Sequence, residues 1–228
     1  MTRSVMGAGW ASALGRPARG IRSRLLSGLL AGPIFVGVTA AGVLTREGFD
    51  LRRNGLSQLS LGDNGWIQVT NFVVAGVLSF AFGSGVRRLL RNGRAGTWGP
   101  RLIWGYAAGI AVTGVFLVDP GASFPPGTPD SVPGLSWHGA VHAVAPPVAF
   151  AFLICACLVF GRRFIARRQW GWATYCGLTA AAASALIFWP GGGGSIRSAL
   201  AVVLTSAWMT AVAADLLTEL NAREAAFG

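Results

Sequence analysis

The chain contains two histidines, His138 and His142, four residues apart. On a helix that spacing sets both imidazoles on one face. Asp119 lies upstream, at the end of the preceding apolar run. Two imidazoles and a carboxylate are three ligands for Zn²⁺, with a fourth position left open for water. A water activated in this way attacks esters and amides. Ser57 or Asn71 would steady the oxyanion that develops. The expectation is a metal site of His138, His142 and Asp119 assisted by Ser57 and Asn71. The competing expectation is that the same groups bond to one another and to backbone, as polar glue between helices.

The elements that must position these groups follow from composition. Of 228 residues, 53% are hydrophobic and 12% charged, about half the charge of an ordinary soluble chain. Six nearly uncharged stretches cover 25–44, 66–86, 102–118, 139–160, 171–189 and 198–217. Each is long enough to cross a hydrocarbon core of about 30 Å as a helix. In lipid the backbone must satisfy itself, so such stretches are helical. The alternating polarity of a membrane barrel is absent. The fold class is therefore all-α, a polytopic membrane protein with six transmembrane helices in one bundle over 24–218. It is flanked by an arginine-rich tail, 1–23, read as disordered, and a short C-terminal tail, 219–228.

All 19 basic residues are arginine, and 15 of them fall on one side of the six crossings. Arginine resists translocation, so both termini belong in the cytoplasm of a cell with an inner membrane. Membrane lipids are the expected partners. The basic charge lies between apolar runs rather than on one face, which speaks against nucleic acid. The first run is longer than a cleaved signal's apolar core. Cys155, Cys157 and Cys176 all fall inside spans, where buried structural thiols are expected. Gly28 with Gly32 and Gly105 with Gly109 allow close helix packing.

Local signals sharpen the outer face. Leu56 and Leu59 would turn toward lipid and Ser57 and Ser60 inward on a short interfacial helix. Asp63 or Asn64 would cap the second span, and Ser136 the fourth. Gln68 and Asn71 open the second span on one face. Asp119 ends the third span, at the unfavourable end of its dipole. Pro146 and Pro147 deprive the carbonyls of His142 and Ala143 of their helical partners. A single HxxxH pair does not supply a bis-histidine haem. Phosphate-loop, serine-hydrolase-elbow and kinase signatures are absent. A small carrier is a further alternative, without the paired broken helices that announce one.

The run from Arg53 to Gln68, followed by Asn71-Phe72, has the form LSxLS…GWxQxxNF. With Asp119 and His138…His142 it resembles the domain-of-unknown-function 998 family over roughly residues 25–217. That resemblance implies a six-pass bacterial or archaeal membrane protein without an assigned activity. A more distant likeness is to transmembrane hydrolases such as the alkaline ceramidases and the progestin–adiponectin receptors. It implies a serine, aspartate and three-histidine site, onto which Ser57, Asp119, His138 and His142 map. This chain has no third histidine and one span fewer. The functional expectation is a metal-dependent lipid hydrolase. The alternatives are a non-enzymatic scaffold or lipid-binding protein, or a small carrier.

Overall fold

The computed structural model describes residues 6–91, 93–131, 134–190 and 192–227. Among them are six helices and no strand: α1 (Met6–Thr45), α2 (Gly65–Leu89), α3 (Arg94–Val115), α4 (Trp137–Ala166), α5 (Trp170–Phe188) and α6 (Gly194–Phe227). Residues 1–5 of the expected tail lie outside the described residues. The chain is helical from Met6, and the apolar part of α1 begins at Arg19.

Each helix packs on the next, and α6 returns to α1, so the bundle is a closed ring. Its centre is filled. Phe160 of α4 meets Trp208 of α6 edge to face at 5.8 Å between centroids. Phe82, Leu153 and Trp208 are wholly buried. Ridge-and-notch contacts at glycine close the seams: a methyl group on Gly32 would press on the Ser206 carbonyl of α6 at 2.8 Å, and one on Gly109 on Ala149 of α4 at 2.7 Å. Both small-residue pairs thus serve contacts within the chain.

The polarity of the bundle is inverted relative to a water-soluble one. Leu26, Leu30 and Ile34 form an exposed row on α1, Val73, Val77 and Phe80 on α2, and Val144, Val148 and Phe152 on α4. Rows at helical spacing with nothing over them match lipid as the surrounding medium. Trp66, Trp98, Trp137, Trp170 and Trp189 are exposed at helix ends, where indoles favour the headgroup zone. Cys155 belongs to this outer surface, whereas Cys157 and Cys176 are buried. The expectation of three buried thiols is corrected to two.

Five helices, α1, α2, α4, α5 and α6, are long and apolar enough to cross a membrane. Helix α3 differs because it carries Arg101 and many small residues, with Gly96, Gly99, Ala107 and Gly114 buried. Helix α3 packs between α2 and α4. Its 22 residues still rise about 33 Å.

The two ends of the ring are chemically distinct. One gathers Arg163, Arg167 and Arg223 on Glu219 and joins Arg22 to Glu224. The other gathers the segments 46–64 and 116–136, tied by Gln58 to the Gly121 carbonyl, Asn54 to the Ala122 carbonyl and Arg53 to Asp130.

Candidate functional site

Helix α4 begins with Ser136 as its N-cap, whose Oγ accepts the Gly139 N–H at 3.0 Å. Asp119 sits directly above this turn. Its carboxylate accepts the Ser136 N–H at 2.9 Å and the Ser136 hydroxyl at 2.5 Å. The chain leaves α3 at Val115, so Asp119 has escaped that helix's negative end and reached the positive end of α4. The two Ser136 hydrogen bonds hold the carboxyl below its usual range, with smaller help from the histidines. Gly139 makes the approach possible, because any Cβ there would overlap the carboxylate.

Both histidines turn Nδ1 toward the end of α3. His138 donates to the Leu117 carbonyl at 3.1 Å and His142 to the Phe116 carbonyl at 2.6 Å. These carbonyls lie past the last turn of α3 and lack helical partners. The Asp119 carboxylate is 3.9 Å from the same Nδ1 of His138. It therefore faces the nitrogen already committed to backbone, not Nε2. His138 is partly exposed, while His142 is 3% exposed with Nε2 unpartnered.

Asn71 is engaged elsewhere, and Ser57 lies on a separate element. Asn71 Nδ2 donates to the Phe35 carbonyl at 3.0 Å and to Thr39 Oγ1 at 3.2 Å. Gln68 Nε2 donates to the same Thr39 hydroxyl at 3.2 Å. Both amides thus join α2 to α1. Ser57 lies on a short 3-10 helix, Leu56–Ser60, which packs over the ends of α1, α2 and α6. Its carbonyl accepts the Ser60 hydroxyl.

The expected exposure of Leu59 is corrected. Leu59 is buried against Gly42 of α1, because a single 3-10 turn does not keep leucines and serines on opposite faces. Asn64 occupies the cap position of α2 without a side-chain cap bond. Gly65 lies so close to the Ser60 carbonyl that no Cβ fits.

The structure therefore brings together Asp119, Ser136, His138 and His142, and places Ser57 and Asn71 in other contacts. Among the described residues no three His, Cys, Asp or Glu side chains converge as a metal-holding group. Sequence reasoning missed Thr39, Arg46 and Gly139. Arg46 donates to the carbonyls of Leu59 and Leu61 and lies 5.4 Å over the Phe124 ring. Its signal was present as a cation at the end of the first span, next to Glu47.

Outward-facing apolar rows, tryptophans at helix ends and a ring of long apolar helices define a multi-pass integral membrane protein in contact with lipid. The family model described as Protein of unknown function (DUF998) matches residues 29–215, and the chain belongs to that family. No curated protein and no solved structure matches the chain.

Proposed function

We propose that this is a six-pass protein of a bacterial inner membrane, with both termini cytoplasmic, that acts by binding rather than by catalysis. Helix α3 supports the sixth crossing. It runs from the arginine-rich end, where Arg87 donates to the Gly96 carbonyl, to the loop bonded to Gln58 at the opposite end. The asymmetry of arginine between the two ends supports the orientation.

One observation carries the non-catalytic reading: Asp119, Asn71 Nδ2 and the Nδ1 atoms of both histidines are bonded to protein. Asp119 holds the start of α4, both imidazoles hold the end of α3, and Asn71 holds α1. The polar cluster is then a lock between α3 and α4. A transport path lacks support, since Phe82, Phe160 and Trp208 fill the ring. Nucleic acid is not among the partners this reading names. The test is melting in detergent with metal analysis of the same samples. Asp119→Asn and His142→Ala lower the melting temperature without changing metal content. One zinc per chain, lost in His138→Ala, would overturn this reading.

A second reading, a zinc-dependent lipid hydrolase, is favoured by one observation. His142 Nε2 is buried without a partner while Nδ1 is oriented by a carbonyl, which is how a ligand imidazole is held. The carboxylate does not fit that site, because it faces the other side of His138. Release of fatty acid from a fluorescent phospholipid that is lost in His142→Ala would establish this reading.

A further inference from the structure

A cavity lies at the opposite end of the molecule from the histidines. It measures about 810 Å³, in the range of small-molecule sites. Its walls come from the turn between α2 and α3, the last turns of α4 and the end of α6. Among the described residues seven arginines and no acidic side chain line it. Arg91 and Arg94 come from the turn, Arg163 and Arg167 from α4, and Arg223 from α6.

Glu219 stands behind this wall and is shared by three of them, Arg163, Arg167 and Arg223. Asp215, one turn earlier on α6, is a second acid near Arg163 and Arg167, and two carboxylates do not balance the seven guanidiniums of the lining. The Arg163 side chain is 9% exposed. Its Nη2 is bonded to Glu219, but its Nη1 is buried without a partner. A guanidinium hydrogen left unpaired away from water is costly, and a bound anion removes the cost. The first turn of α3 also lines the cavity, at Arg94 to Gly96, and contains no acid. Its dipole adds positive potential at the same place.

We propose that this cavity binds a phosphate-bearing anion. Guanidiniums arriving from three elements suit an ion with several oxygens arranged tetrahedrally better than a planar carboxylate. Leu89, Val159 and Leu220 supply an apolar part of the lining, which fits the upper acyl chain of a phospholipid. The chemistry is shared by a lipid headgroup and by free phosphate. The site is separate from the histidine cluster and does not rest on the reading of that cluster.

The test is a thermal-shift titration of the full chain in dodecyl maltoside, at ionic strength held constant with sodium chloride. Three probes are used: sodium phosphate, dioctanoyl phosphatidic acid, and dioctanoylglycerol, which differs from the second only by lacking phosphate. Saturable stabilisation by either phosphate probe, and none by dioctanoylglycerol, is expected. Saturation by sodium phosphate as well as by the lipid identifies a free-anion site, and saturation by phosphatidic acid alone a headgroup site. Arg163→Gln weakens binding at least tenfold. So does the double variant Arg91→Gln/Arg94→Gln, which leaves every partner of Glu219 in place and guards against a folding defect. The proposal is overturned if neither phosphate probe saturates, if dioctanoylglycerol stabilises equally, or if the double variant binds like the parent.

Discussion

At the residue scale, the informative unit is Asp119 with Ser136 and Gly139. A carboxylate accepting two hydrogen bonds at a helix N-terminus is stabilised as the anion. Its folded pKa is depressed, so its contribution to stability is present above the carboxylate's ordinary value. It is lost as pH falls through the folded value. Melting in detergent should therefore weaken on acidification below the usual carboxylate range, and Asp119→Asn should flatten that part of the profile. Gly139→Ala places a methyl group against the same carboxylate and should cost about 1–3 kcal/mol by overpacking, read as a lower melting temperature. His138, His142 and Asp119 were all legible in the sequence as a local group. Which ring nitrogen faces which partner was not, because that depends on where the end of α3 lies against α4. No pattern in either segment encodes that register.

At the scale of elements, the family-like segment from Arg53 to Asn71 is a packing device. Gly65 touches the Ser60 carbonyl, Gln58 crosses to Gly121, and Gln68 and Asn71 meet on Thr39. Interhelical bonds of this kind in membranes contribute about 0.6 kcal/mol each, up to about 1.7. Asn71→Leu should therefore lower stability by about 1 kcal/mol and leave metal content unchanged, as followed by unfolding in mixed micelles. The spans themselves were legible from charge-free length, and the boundaries from tryptophan and arginine. The inward turn of Leu59 was not, since a five-residue segment has too few positions for periodicity to declare a face. Helix α3 shows the converse case. Its small residues, which let it pack closely on α2 and α4, lower its apolarity below that of the other five helices.

For the whole molecule, the proposed orientation makes a sided prediction. In a Cys155→Ser background, a cysteine at Ser131 should react with a membrane-impermeant maleimide on intact cells. A cysteine at Gln169, beside the arginines at the end of α4, should react only after permeabilisation. Reversed labelling would invert the topology. The arginine asymmetry was read from sequence as a marker of sidedness alone. That several of these arginines surround one cavity was hidden, because they come from three separate segments, around Arg91, Arg163 and Arg223, brought together only when the ring closes.

That closure also sets an order of events during synthesis. The flank of α1 that carries Gly32 is completed by Ser206 of α6, which leaves the ribosome after the other five helices of the ring. Until then the first helix must wait in the bilayer with a notch unfilled and its final neighbour unmade. A chain stopped anywhere before residue 194 is an open arc, with the notch beside Gly32 left to lipid.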